Sequence, residues 1–450
     1  MWGSRELADR TPASRERYVD LLRVLSIVTV VLGHWLISVI TYDHRGQLTG
    51  RSALDSLSWA FPITWLVQVV PVFFVVGGYA NAASLASHRR RGGVAVTWLQ
   101  DRGGRLVPPT TVLLAVFAAG AGIARLLGTD PALVRHAVWA ASIPLWFLGA
   151  YLIVVVLAPL MYRLHRRFGW WALAALVVLV GLGDLARFHG MASLGSGSYV
   201  FGWLAIHQVG FFWRDGRLGF RPRVWACVLA GGLAAVVLLT VPGPYPVSMI
   251  DVAGQEPHNA SPPTLALLAT TTFQLGLVLT LRGPAERWLH RRRPWGGVTA
   301  LNGVVFTIFL WHMSAVLLVV GALLALHRLP TPTVATPAWW LWRLPWLAMC
   351  LVALAVLVAV FGSVEARGRR RGRGSAGRPS GLAVALTGPV SGVPLTVAAY
   401  AAVTAGLLQN NLAPQSGHYA LGVPAAALVT YAVGAGLLRA LRALPVPSTP

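Results

Sequence analysis

Polar residues interrupt this chain at intervals that leave twelve apolar stretches long enough, or nearly so, to cross a bilayer. They lie near 20–42, 59–86, 106–127, 139–162, 170–186, 199–213, 224–241, 264–281, 300–326, 339–364, 382–408 and 419–438. A crossing helix needs roughly 20 apolar residues at about 1.5 Å rise each, and the sixth stretch is the short one. The pattern predicts an all-α, polytopic transmembrane helix bundle. Residues 1–17 mix arginines with acids and hold no apolar run, which suits a cytoplasmic tail and not a cleaved leader. Trp59, Trp139, Trp170, Trp171, Trp339 and Trp340 fall at predicted helix ends, where interfacial aromatics belong.

Composition strengthens this reading. Apolar residues make up 56% and charged residues 11% of the 450, too few charges to coat soluble domains of that length. The formal net charge is +23, and all 37 basic residues are arginine. Their clusters lie between the apolar stretches, so the charge marks topology and not nucleic-acid binding. With the N-terminus inside, the inside gaps hold Arg89–Arg91, Arg102 and Arg105, then Arg163, Arg166 and Arg167, then Arg214, Arg217, Arg221 and Arg223. Arg282, Arg287 and Arg291–Arg293 follow, and then the run from Arg367 to Arg378; the outside gaps carry two arginines at most. That alternation obeys the positive-inside rule and predicts a multi-pass protein of the cell membrane. The absence of lysine points to a GC-rich bacterial genome. The expected organisation is a tail (1–17), a ten-helix core (18–365), a basic cytoplasmic linker (366–380) and a two-helix extension (381–450). Cys227 and Cys350 both lie in apolar segments, which excludes a disulfide framework, and no ligand cluster calls for a metal.

Ionisable side chains inside apolar stretches are the candidates for chemistry, because hydrocarbon penalises them unless they face a cavity or a partner. In the first stretch, Arg23 and His34 are separated by eleven positions, about 1100° of helical rotation, so they share a face roughly 16 Å apart. Asp20 joins that face one turn earlier. His312 in the ninth stretch is expected at nearly the depth of His34, and His207 in the sixth reads as a packing residue. Arg102 and Arg105 are expected in the loop ahead of the third helix, where planar guanidinium forks suit phosphate. Histidine suits general-base work near neutral pH.

These residues resemble the acyltransferase 3 family of membrane O-acyltransferases. Arg23 and His34 reproduce its Arg-x10-His signature. Phe73-Phe74-Val-Val-Gly77-Gly78-Tyr79 resembles its Phe-Phe-x-x-Ser-Gly-Phe/Tyr segment, and Arg102-Gly-Gly-Arg105-Leu-Val-Pro108 its Arg-x-x-Arg-x-x-Pro element. Leu145-Trp146-Phe147-Leu148 and Phe309-Leu-Trp311-His312 are similar to two further motifs. Gly77 stands where the family commonly has serine and Phe309 where it often has tyrosine, so no hydroxyl role carries over at either position. The resemblance implies transfer of a small acyl group, acetyl being the usual one, from cytoplasmic acyl-CoA to a hydroxyl of a carbohydrate or secondary-metabolite acceptor. It assigns His34 as the base that activates the acceptor hydroxyl or as the transient carrier of the acyl group, with Arg23 neutralising the donor or an oxyanion and Asp20 orienting Arg23. Arg102 and Arg105 would bind CoA phosphates, with His312 and Trp146 in the acceptor cavity. The rival class is a proton-coupled exporter, but Asp101 follows the second helix too late for the transporter motif. The two halves also do not echo one another as transporter repeats do.

Overall fold

Inside a bilayer every backbone N–H and C=O needs a partner within the protein, so apolar stretches resolve into helices. The computed structural model describes residues 15–42, 46, 48–219, 221–371, 392–415, 417 and 419–443. Residues 1–14 of the expected tail, 372–380 of the expected linker and 382–391 of the eleventh stretch lie outside them. The described residues contain thirteen helices of eleven residues or more. In chain order these are α1 (Arg17–Ile37), α2 (Val70–Arg90), α3 (Ala95–Leu126), α4 (Pro131–Ala141), α5 (Pro144–Phe168), α6 (Trp170–Phe188) and α7 (Ser198–Arg214). They continue with α8 (Pro222–Thr240), α9 (Leu265–Leu289), α10 (Arg292–Ala325), α11 (Pro337–Arg371), α12 (Gly392–Leu412) and α13 (Ala425–Ala443).

Several boundaries differ from the expected ones. α1 stops at Ile37, and Ser38–Tyr42 forms β1, paired antiparallel with β2 (Leu48–Ser52). The run Val39-Ile40-Thr41-Tyr42 is β-branched and aromatic, which favours strand once the chain leaves the bilayer. The second stretch is broken. Short helices cover Ser58–Ile63 and Thr64–Val67, and α2 begins at Val70. Pro71 has no N–H to offer the Val67 carbonyl, which accepts from Val69 N instead at 2.9 Å. The Gln274 side chain on α9 then donates to the carbonyls of Trp65 and Gln68, both at 2.9 Å. α3 starts eleven residues before its expected first residue, so Arg102 and Arg105 stand inside a helix and not in a loop. The paired Pro108 and Pro109 look like a helix start, yet they lie in its interior. Pro108 leaves the Gly104 carbonyl without its helical donor, and Arg442 Nη1 reaches that oxygen at 3.4 Å. Glu365, expected at the edge of the linker, is buried in α11 and accepts from Thr307 N and Oγ1 at 2.9 and 2.8 Å.

Eleven of the described helical segments are long and apolar enough to cross a membrane. α7, the short sixth stretch, has 17 residues, twelve of them buried. A helix sheathed in protein does not need an apolar surface. Its two ends nevertheless meet opposite sets of loops. Ser198 Oγ stands against Gly183 near the end of α6, while Asp215, just past its last turn, holds Tyr162 and His165 on α5 at 3.2 Å each.

The chain forms two compact units. The first comprises Met1–Ala83, Leu160–Val305 and Thr331–Leu344. On one of its sides Val39, Leu54, Leu57, Val252, Val334 and Trp339 form an apolar cluster linking three loops. On its other side Arg17 donates to the Leu289 carbonyl at 2.9 Å, and Arg282 pairs with Glu16 at 3.2 Å. In these contacts loops of one parity meet loops of the same parity.

The second unit comprises Ser84–Pro159, Phe306–Pro330 and Pro345–Pro450. Its tie between α4 and the α12–α13 hairpin is Arg135, fully buried. This guanidinium donates to the side chain of Asn410 and to the carbonyls of Asn410, Ala413, Pro414 and Gly422 at 2.9–3.2 Å. The carbonyl end of α12 supplies most of that cage, where helix polarity favours a cation. Arg135→Leu should therefore cost about 3 kcal/mol, because it strands several buried acceptors. Thermal unfolding of the purified protein reads the loss, and a wild-type melting temperature would contradict this role.

Candidate functional site

α1 turns its polar stripe inward. Its strongly exposed residues are Leu25, Leu32 and Leu36, which lie about 180–220° round the helix from Arg23, whereas His34 lies about 20° from it. Arg23 and His34 are both half-buried. Asp20, 5% exposed, accepts from Arg15 Nε at 2.6 Å and from Arg23 Nη1 at 3.3 Å. Asn302 on α10 donates to the Asp20 carbonyl at 3.1 Å and fixes that turn from outside.

The far end of the stripe is held through the backbone. Ser38 Oγ donates to the His34 carbonyl at 2.6 Å, and Arg343 Nη1 donates to the Ser38 carbonyl at 2.9 Å. Arg343 is 6% exposed and lies over the Trp339 ring at 4.6 Å. A cation at the carbonyl end of α1 suits the helix dipole. The sequence pattern did not single out Arg343. The available signal was an arginine inside the tenth apolar stretch.

Next to the Arg23 end, Glu16, Arg282 and Glu286 form a second ion network. Arg282 reaches Glu16 at 3.2 Å and Glu286 at 2.8 Å, with its guanidinium 5.9 Å from the Trp213 ring centre. Burial, reinforced by the hydrogen bond to Glu286 and opposed by Arg282, raises the Glu16 carboxyl from an ordinary 4.5 to about 7.

The Phe-Phe-x-x-Gly-Gly-Tyr segment of α2 is a packing seam against α7. Phe74 stacks on Trp203 at 4.5 Å, and Tyr79 sets an edge on Trp213 at 5.8 Å. A side chain at Gly78 would collide with the His207 carbonyl and one at Gly210 with the Val75 carbonyl, so both glycines are required by the crossing. Asn81 Nδ2 donates to His207 Nε2 at 3.0 Å, which agrees with a packing role for that histidine.

The remaining candidates lie in the second unit. Arg102 donates to Ser84 Oγ at 2.7 Å and lies over Trp98 at 5.2 Å, while Arg105, one helical turn on, is exposed. His312 is fully buried, and its Nδ1 donates to the Phe309 carbonyl at 2.6 Å. That bond leaves Nε2 as the acceptor of the neutral ring. Phe309 packs on Phe147 at 5.1 Å and Phe147 on Trp146 at 6.2 Å, so His312 and Trp146 end one aromatic chain. The structure therefore places Asp20, Arg23 and His34 on one helix and Arg102 and Arg105 one turn apart on another, and it links His312 to Trp146 through Phe309 and Phe147. Among the described residues no three His, Cys, Asp or Glu side chains are grouped to hold a metal.

The long apolar helices make this a multi-pass membrane protein. Residues 16–364 match the acyltransferase 3 family, described as an acyltransferase domain, and the chain belongs to that family. No curated protein matches the chain, and no solved structure matches it.

Two outcomes follow from these contacts. Arg343→Met should speed hydrogen–deuterium exchange of the amides just after His34 by about tenfold, the loss expected for one charged hydrogen bond; unchanged exchange would exclude the clamp. The raised Glu16 pKa means that the folded state holds its proton more tightly than the unfolded chain does. Stability contributed by this group is therefore intact below about pH 4.5 and lost as pH climbs towards 7. Glu16→Gln should flatten unfolding midpoints across that window, and an unaltered slope would count against it.

Proposed function

We propose that the protein transfers a small acyl group, acetyl being the expected one, from acyl-CoA to a hydroxyl of a carbohydrate or secondary-metabolite acceptor. It would act in the cell membrane of a bacterium with the N-terminus cytoplasmic, so that the Arg23 end of α1 faces the CoA pool. What supports this reading is the α1 stripe, an acid-clamped guanidinium and an imidazole on the face opposite the exposed leucines.

In the proposed reaction a ring nitrogen of His34 takes the acceptor hydroxyl proton as its oxygen attacks the thioester carbonyl. The tetrahedral oxyanion collapses, the C–S bond breaks, and the imidazolium proton passes to the departing CoA thiolate. The acceptor gains the acyl ester and CoA leaves as thiol, so atoms and charges balance. Arg23, held by Asp20, offsets negative charge on the donor or the oxyanion, and a preorganised cation away from bulk water does this at little reorganisation cost. Arg102 and Arg105 bind the CoA phosphates, and His312 and Trp146 line the acceptor's cavity.

The test uses labelled acetyl-CoA with purified protein for binding, and with source membranes for transfer. His34→Ala should keep donor binding and lose about a thousandfold in transfer, within the range for a positioned base. Arg23→Ala and Arg105→Ala should each weaken donor binding about tenfold. Full transfer by His34→Ala would refute the catalytic assignment.

A further inference from the structure

The run between the β1–β2 hairpin and α2 turns an apolar face outward. Trp59, Ile63, Leu66 and Val67 are 37–61% exposed, whereas Ala60, Thr64 and Gln68 are buried. Ala60 joins the apolar cluster of Val39 and Trp339. Thr64 Oγ1 accepts from Met249 N at 2.8 Å, Gln68 Nε2 donates to the Met249 carbonyl at 3.0 Å, and Trp65 Nε1 donates to the Val247 carbonyl at 2.7 Å. One face is thus fixed to the loop ahead of α9, and the other is left bare. Thr64–Val67 also packs against α1, which exposes Leu36 in its last turn.

Length sets the depth of this run. The 21 residues of α2 rise about 31 Å, which already matches a hydrocarbon core of roughly 30 Å. α2 ends on His88-Arg89-Arg90, at the opposite membrane edge. Residues ahead of Val70 therefore fall at the head-group boundary. Their backbone is closed off as if water were scarce. The carbonyls of Thr64 and Val67 accept from Gln68 N and Val69 N, those of Trp65 and Gln68 from the Gln274 side chain, and that of Phe61 from Thr64 Oγ1. A loop in water leaves such carbonyls to solvent, whereas one against lipid has to satisfy them within the protein. No charged residue or histidine stands between Asp55 and His88, and an exposed tryptophan suits the membrane interface.

The geometry points to Ser58–Val67 as an interfacial segment that lies along the bilayer surface, at the end of the bundle where β1 and β2 stand. Trp59, Ile63, Leu66 and Val67 enter the boundary between head groups and acyl chains, and the polar ties on the other face hold the neighbouring loop to the membrane. The partner is a lipid surface, bound through apolar area as amphipathic interfacial helices are.

The test places a nitroxide on single cysteines, Ile63→Cys, Leu66→Cys or Ala253→Cys, in the full chain carrying Cys227→Ser. The protein is reconstituted in phosphatidylcholine–phosphatidylglycerol vesicles, and the remaining Cys350 is fully buried. Labels at positions 63 and 66 should collide with oxygen, which dissolves in lipid, and should lose collisions with a water-soluble nickel chelate. The label at position 253, on an exposed loop, should meet the chelate freely. Equal chelate access at all three positions overturns the inference, because the run then lies in water. Immobile labels at 63 and 66 that neither collider reaches overturn it too, because protein then covers the face.

Discussion

A carboxylate buried against two guanidinium groups orients the start of the first crossing. Asp20 lies in the first turn of α1, where helix polarity favours an acid, and it draws Arg23 back along the helix. Without that partner a long arginine at the membrane edge would extend towards water. With it, the guanidinium keeps the phase of His34 three turns further on. Asn302 at one end and Ser38 with Arg343 at the other pin the same helix through its carbonyls. A base and a cation on one helix are useful only while both ends of that helix stay in place.

The same device recurs through the molecule. Arg17, Arg135, Arg187, Arg343 and Arg442 all donate to backbone carbonyls at helix ends, loops or proline-freed positions. A planar fork covers carbonyls that an apolar surrounding would leave costly. In a chain whose basic residues are all arginine, part of what looks like topological charge is therefore backbone satisfaction.

Helical period made the polytopic bundle and the phase of Arg23 with His34 legible in the sequence, since both are local along the chain; of the twelve expected crossings, eleven are helices long and apolar enough to span a membrane. Contacts between distant segments were not legible. Arg102 and Arg105 looked like loop residues because the paired prolines that follow them mimic a helix start, and the contacts that Tyr400, Tyr431 and Arg442 make with α3 carbonyls come from three hundred residues on. Arg343 is an arginine inside an apolar stretch whose role shows only when Ser38 is placed beside it. Gly78 belongs to a motif that suggests chemistry, yet the close approach of α7 accounts for it. The break ahead of α2 depends on a glutamine side chain from α9.

The central claim is that Asp20 and Arg23 act as one unit on the donor, and a double-mutant cycle on acyl-CoA affinity tests it most directly. With Asp20→Asn, Arg23→Gln and the double variant, the account predicts that the double variant binds no worse than Arg23→Gln alone, a coupling of at least about 1 kcal/mol. Losses that simply add would show that the two side chains act independently and would contradict the account.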